Sequence, residues 1–159
     1  MIMRKTAASL LIWSFFAPLS VRAQDDTALS EGQKIYVPAY SHIYSGDREH
    51  PFMLAVTLSI RNIEPEKSIR IISADYYETQ GKLLKKYLAK PITLEPLESI
   101  RYVVPESNRA GGSGANFIVV WESAAPVNPP IIESIMIGTS SQQGISFTSR
   151  GRVILKKNK

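Results

Sequence analysis

The chain has 159 residues, no cysteine and a formal net charge of +5. Its length fits a single domain, and it can form no disulfide. Three of its basic residues, Arg4, Lys5 and Arg22, lie in the first 23 residues, and without them the net charge is close to +2. Much of that excess lies in the C-terminal tail, Lys157–Lys159, and in Lys156. Because no concentrated basic face is visible, the composition does not favour a nucleic-acid-binding protein.

The N-terminal 23 residues have the three parts of a secretory signal peptide. Arg4 and Lys5 precede an almost entirely apolar run, Thr6–Ser20, and the segment ends in small residues with Ala23. We therefore predict cleavage between Ala23 and Gln24 and export to the periplasm or the exterior. The apolar run is shorter than the roughly 20 residues that span a bilayer, so we predict no transmembrane span in the mature chain. An uncleaved anchor is the alternative.

The first part of the exported chain changes from polar to strand-like. Gln24–Gln33 is polar and without a period, which indicates a flexible leader. Lys34–Tyr40 has a strand pattern, and because Pro38 cannot donate to a ladder, we expect this strand at an edge or with a bulge. Ser41–Pro51 is predicted to be a polar loop that turns at Gly46-Asp47.

Alternation of apolar and polar residues dominates the middle of the chain. In Phe52–Asn62 the apolar residues recur at every second position, which predicts a strand with one face on a core. The later segment L-L-K-K-Y-L also fits the spacing of a helical turn, and it is too short for its pattern to distinguish a helix from a strand. The further strands predicted here are Ser68–Tyr77, Leu83–Leu88, Ile92–Leu94 and Ser99–Val104.

A glycine-dense loop, Gly111–Gly114, precedes the most apolar strand pattern of the chain. Within Asn116–Glu122 the segment Phe117–Trp121 is aromatic and β-branched, which predicts a buried central strand. Prolines in the following linker are predicted to interrupt regular structure; they are Pro126, Pro129 and Pro130. The last predicted strands are Ile131–Gly138, Ile145–Phe147 and Arg152–Leu155, the final one after a bend at Gly151.

These elements predict an all-β protein, an antiparallel β-sandwich of about eight or nine strands. Short strands separated by Gly/Pro turns are typical of a sandwich, and the short connections exclude parallel crossovers. The predicted organisation is a signal peptide (1–23), a flexible leader (24–33), one sandwich domain (34–156) and a basic tail (157–159).

Three segments occur together in the order Tyr36–Asp47 (YVPAYSHIYSGD), Gly111–Trp121 (GGSGANFIVVW) and Met136–Arg152 (MIGTSSQQGISFTSRGR). Over nearly all of Lys34–Ile154 the chain resembles a small family of exported bacterial proteins known only as a domain of unknown function, DUF family 3124. The resemblance implies export and no established activity. More loosely, the strand pattern is similar to immunoglobulin-like and fibronectin-like sandwich domains, an analogy that concerns fold alone.

One loop has the residue types of a metal site. The only two histidines lie with two acids inside nine residues, and imidazole and carboxylate ligands together suit zinc or another divalent ion; the four are His42, Asp47, Glu49 and His50. A solvated turn is the alternative interpretation. A divalent metal is the only cofactor that the sequence suggests.

The glycine loop and the last strands suggest a polar ligand site. Backbone N–H groups of such a loop can bind an anion as a nest, although a tight connection that requires glycine explains the same residues. Alternation places Ser146, Thr148 and Arg150 on one strand face. The candidate ligand-binding residues are Arg109, Gly111, Gly112, Ser113, Gly114, Asn116, Ser146, Thr148 and Arg150.

The sequence favours binding over catalysis. There is no cysteine nucleophile, and Ala115 stands where a G-x-S-x-G elbow needs glycine.

Strands that are apolar on both faces, such as Ile118–Val120 and Ile135–Ile137, need cover on both faces. This cover can come from the chain itself, a protein partner or a second copy. A second surface signal is abundant tyrosine, which suits interfaces as well as cores: Tyr36, Tyr40, Tyr44, Tyr76 and Tyr77.

We therefore expect a noncatalytic binding or envelope accessory module. The alternative is a metal- or anion-dependent small-ligand protein, with or without hydrolytic activity, that uses the His42–His50 loop or the Gly111–Gly114 loop.

Overall fold

The computed structural model describes residues 28–45, 49–139 and 144–156, and these residues form strands and turns without a helix. The predicted signal peptide, residues 24–27 of the leader and the basic tail lie outside the described residues. The end of the predicted flexible leader, Ser30–Gln33, is instead the beginning of the first strand. No described helix could cross a membrane. The twelve strands are β1 Ser30–Pro38, β2 His42–Ser45, β3 His50–Met53, β4 Ala55–Arg61, β5 Ile69–Tyr77, β6 Leu83–Lys86, β7 Ile92–Leu94, β8 Ser99–Val104, β9 Asn116–Val127, β10 Ile131–Gly138, β11 Ile145–Arg150 and β12 Arg152–Lys156.

The strands form two larger sheets and one hairpin, with antiparallel pairing. The six-stranded sheet has the order β12-β1-β9-β5-β6, with β7 also pairing with β5, and the four-stranded sheet has the order β11-β10-β4-β8. Buried faces of both sheets share one core, which includes Phe117 and Trp121 from β9 and Val56 and Leu58 from β4. The predicted all-β antiparallel class is confirmed and the arrangement is sandwich-like, with twelve described strands where the sequence predicted eight or nine.

Strand β9 is central, as the run Phe117–Trp121 predicts. It pairs with β1 on one side and β5 on the other. Phe117, Val119 and Trp121 are buried, with at most 1% of their surface exposed. Ile118 and Val120, on the opposite face, are half-buried between β1 and β5. The second apolar face of β9 is therefore only partly exposed.

The prediction of a loop at Ser41–Pro51 was wrong. Its two ends form the β2–β3 hairpin, in which His42 pairs with Met53 and Ser45 with His50. The predicted turn residues Gly46 and Asp47 lie outside the described residues. The polar composition concealed the strands because this small hairpin is largely exposed and buries only part of its apolar side chains, Ile43 and Phe52.

One proline prediction is confirmed in part and another needs correction. Strand β1 lies inside its sheet and not at an edge, but it carries the bulge that was the other possibility, with a register shift between Lys34 and Ile35. Its ladder with β12 ends at Tyr36, so Pro38 has no β12 residue opposite it. The missing N–H of Pro38 therefore costs no hydrogen bond on that side. Pro126 lies inside β9, in the stretch where the β1–β9 register jumps between Glu122 and Val127. A bulge of this kind tolerates a proline that a regular ladder would exclude.

The bend predicted at Gly151 is confirmed, and it carries the chain from one sheet to the other. Strand β11 belongs to the four-stranded sheet and β12 to the six-stranded sheet. The Gly151 N–H donates to the carbonyl of Ile132 over 2.8 Å. A Cβ at Gly151 would lie 2.8 Å from the Ile132 carbonyl oxygen and 2.5 Å from Cγ2 of Ile35, so the crossing requires glycine.

An aromatic cluster fills the space between β8 and the chain after β6. The Tyr87 and Tyr102 rings lie 4.9 Å apart, and Tyr87 also contacts Phe117. The Tyr102 hydroxyl is buried without a hydrogen-bond partner among the described residues. Burial raises the pKa of Tyr102, because the charged phenolate would lack solvation.

We expect Tyr102→Phe to raise the free energy of unfolding by about 1 kcal/mol, because it removes a hydroxyl that folding desolvates without compensation. The matched variant is Tyr76→Phe, which loses a buried hydrogen bond of 2.9 Å to Ser41 and should cost about 1–3 kcal/mol. Urea unfolding of both variants measures the difference. Equal destabilisation by the two substitutions would show that the Tyr102 hydroxyl has a partner in solution.

Candidate functional site

The proposed metal ligands are separated along the β2–β3 hairpin. His42 and His50 belong to cross-strand pairs three positions apart, roughly 10 Å along the strands, and strand alternation puts them on opposite faces. His42 Nε2 lies 3.3 Å from the Tyr44 hydroxyl, and Glu49 is exposed with a φ of 46°. Asp47 lies outside the described residues. Among residues 28–45, 49–139 and 144–156 no group of three acids or histidines is placed to hold a metal ion.

The backbone of the glycine loop is hydrogen-bonded to other residues of the same chain. The N–H of Gly114 donates to Thr79 Oγ1 over 3.0 Å, and both the N–H and the hydroxyl of Thr79 donate to the Gly111 carbonyl. The Gly112 N–H donates to the Arg109 carbonyl, and the Ala110 N–H to Asn108 Oδ1. These three loop amides are therefore occupied, and the described contacts give the loop the role of a tight connection.

Gly112 is the position in this loop where the backbone itself demands glycine, because its φ is 78°. Its carbonyl accepts from the Ser41 N–H over 3.0 Å. Asn116, the first residue of β9, pairs with Pro38 on one side and Tyr77 on the other. The anion hypothesis for Arg109 and the loop stays a prediction.

The structure places the polar residues of β11 on one exposed face, as alternation predicts. Ser146, Thr148 and Arg150 are exposed, whereas Ile145 and Phe147 are half-buried. In register, Ser146 lies opposite Ile137, Thr148 opposite Ile135, and Arg150 opposite Glu133. These polar residues therefore border the outward side chains of β10.

The outward side of the four-stranded sheet, here called the outer face, forms cross-strand rows. Its middle row is Thr148, Ile135, Thr57 and Val103, from β11, β10, β4 and β8 in turn. Val103 is 49% exposed. In the row beyond, Ile137 is 48% exposed and pairs with Ala55. The outer face therefore carries a strip of mainly β-branched residues, roughly 15 Å wide across four strands. Its most exposed apolar members are Val103 and Ile137, and it is here called the apolar strip.

Charged residues border one side of the apolar strip. The next row of the outer face contains Arg150, Glu133, Ser59 and Arg101. Arg61 lies in the row after that and donates from Nε to Ser59 Oγ over 3.1 Å. With three arginines and one glutamate, this border is net positive.

Sequence reasoning identified part of the outer face and missed the rest. It singled out Ile135 and Ile137 as needing cover, and Arg150 as a ligand candidate. It missed Val103 and Arg101, although alternation in S-I-R-Y-V-V places both outward once β8 is known to be a strand. The five tyrosines do not form a common surface, since Tyr76 is buried in the core while Tyr44 is 53% exposed.

The fold and the outer face define an antiparallel, sandwich-like β-protein with one sheet face open to solvent. The chain belongs to the DUF3124 family, described as a protein of unknown function, whose model matches residues 32–154. This confirms the family resemblance of the three sequence segments. Among solved structures, Thermotoga maritima 1070 is similar with 15% identity and a TM-score of 0.45, over 76% of this chain and 92% of that chain. No curated protein matches the chain.

Proposed function

We propose that this chain is an exported, noncatalytic domain that binds an acidic protein partner through the outer face. The observation that carries the proposal is the open strip on that face, where Val103 and Ile137 each leave about half of their surface in water. Exposed β-branched side chains on one face of a sheet are costly to leave solvated, and burying them on association contributes about 25 cal/mol per Å² of apolar area.

The charge on the outer face favours an acidic partner over a second copy of the chain. Arg61, Arg101 and Arg150 outnumber the single acid Glu133 there, and the whole chain is also positive. Two copies placed face to face would bring like charges together, whereas carboxylates around an apolar patch would complement the arginines. Such complementarity increases the association rate and discriminates against wrong partners.

Export is supported by the N-terminal sequence. The basic residues Arg4 and Lys5, the apolar run Thr6–Ser20 and the small residue Ala23 follow the order of a secretory signal. The absence of cysteine means that an oxidising compartment neither requires nor disturbs a disulfide in this chain. The partner is therefore expected outside the cytoplasm.

The proposal predicts a position-dependent cross-link in cells that produce the full chain. A photo-reactive benzoylphenylalanine at Val103 or Ile137 should give one adduct of discrete mass. The matched control is Leu83, an exposed apolar residue of β6 in the other sheet, 38% exposed, which should give none. A second copy of this chain in the adduct would overturn the acidic-partner proposal in favour of self-association, and equal labelling at all three positions would overturn the use of this face.

The purified partner from that adduct then tests the chemistry of the face. Arg101→Glu and Ile137→Asp should each weaken its binding at least tenfold, because one reverses a border charge and the other puts a charge in the apolar strip. Leu83→Asp should change the affinity less than twofold. Circular dichroism and thermal unfolding verify that each variant folds. Unchanged affinity in the folded Arg101 and Ile137 variants would contradict the proposal.

A further inference from the structure

A second site lies where the chain crosses between the sheets, and it is separate from the apolar strip of the outer face. A cavity of about 500 Å³ opens there, within the usual size range of small-molecule sites. Its walls come from β1, from the Pro129-Pro130 link before β10, and from the crossing at Gly151. Ile63, which follows β4 and is 39% exposed, borders it.

The least exposed residues that line the cavity are apolar, with one polar exception. Ile35 and Ile132 line it and are 4% and 5% exposed. Gln33 lines it as well and is 5% exposed. Its side-chain oxygen accepts the indole N–H of Trp121 over 3.3 Å, which fixes the orientation of the amide. The Gln33 amide nitrogen has no partner among the described residues, so it is available to a ligand in the cavity.

The charged residues that line the cavity are all cations. Arg150, Arg152 and Lys156 line it and are exposed, and no described residue forms an ion pair with any of them. Glu133 is the cross-strand neighbour of Arg150, yet the ion pair present in the described part of the chain is Arg70–Glu122, in the six-stranded sheet. Three cations around one cavity, without an ion pair in the described part of the chain, attract a negative group.

We propose that this cavity binds a small amphiphilic anion, a molecule with one carboxylate or phosphate group and a hydrocarbon part. The hydrocarbon would contact Ile35 and Ile132, and the anionic group would lie between Arg152 and Lys156 with the Gln33 amide as a further donor. The site needs both parts of such a molecule: its apolar floor offers nothing to a bare ion, and its rim favours a negative charge over a positive one.

The test uses the full chain and three probes: decanoate below its micelle concentration, acetate as the head group alone, and decylammonium as the same tail with the opposite charge. Isothermal titration should show one saturable decanoate site and at least tenfold weaker binding of the other two. In a Trp13→Phe background, Trp121 is the single tryptophan, so a saturable change in its emission locates the ligand near Gln33.

Substitutions separate this site from binding elsewhere on the chain. Arg152→Ser and Lys156→Ser should each weaken decanoate binding at least fivefold, and Ile63→Trp should block the cavity. Lys82→Ser removes the same charge at an exposed turn outside the cavity and should leave the affinity within twofold. Equal decanoate affinity in the Arg152→Ser/Lys156→Ser double variant, or non-saturable uptake, would overturn the proposal. Decyl phosphate tested in parallel shows which anionic group is preferred.

Discussion

Replacing Trp121 with alanine should lower the free energy of unfolding by about 4 kcal/mol. Trp121 is 1% exposed in the central strand β9 and is the largest fully buried side chain of the core. Truncation removes a large side chain from the shared core, leaves a cavity, and deprives the buried Gln33 oxygen of its donor. A loss of that size is a large part of the 5–15 kcal/mol that stabilises a typical domain.

Urea unfolding, followed by far-ultraviolet circular dichroism, measures the loss. Trp121→Phe keeps an aromatic ring but removes the hydrogen bond to Gln33, and we expect it to cost about half as much as the alanine variant. Tyr44→Ala is the control for truncating an aromatic residue at the surface, since Tyr44 is 53% exposed, and it should cost less than about 1 kcal/mol. Equal effects of Trp121→Ala and Tyr44→Ala would show that β9 is not the centre of the core.

The central strand was predictable because its information is local. Five consecutive apolar residues, Phe117–Trp121, can be satisfied only where both faces of a strand are covered. The alternation in Ala55–Arg61 likewise identifies one buried and one outward face without knowledge of any partner. These local patterns also sufficed for the all-β class and for most strand positions.

The outer face could not be read from the sequence because it depends on strand order. Val103 and Ile135 come from strands far apart in the chain, and both lie next to Thr57 only because β4 lies between β8 and β10. The cavity depends in the same way on a crossing at Gly151 that brings Arg152 beside β1. The hairpin β2–β3 was missed for another reason: an exposed hairpin needs no strongly apolar sequence.

The glycine loop shows how one sequence pattern supports two interpretations until its neighbours are known. Three glycines in four residues are consistent with an anion-binding nest and with a tight connection. The structure supplies what the sequence lacked, namely Thr79 and Tyr76 from β5 and the turn after it, which lie more than thirty residues earlier in the chain. Those contacts make a specific prediction about Gly111.

Gly111→Ala should lower the free energy of unfolding by about 3 kcal/mol. Gly111 is buried, and a Cβ there would overlap the Tyr76 hydroxyl and lie 2.5 Å from Ser41 Oγ. The added methyl group must separate these two hydroxyls, which share a buried hydrogen bond of 2.9 Å, so the cost combines overpacking with the loss of that bond. Urea unfolding of the variant measures it.

Gly114→Ala is the matched control, because the nearest atoms to its Cβ would be those of the Thr79 side chain, at 3.1 Å or more, and it should cost less than about 1 kcal/mol. A double-mutant cycle tests the cause. In a Tyr76→Phe background the overlapping hydroxyl is gone, so Gly111→Ala should cost at least about 1 kcal/mol less than in the parent chain. Additive effects of the two substitutions would show that Gly111 is required for a reason other than its approach to Tyr76.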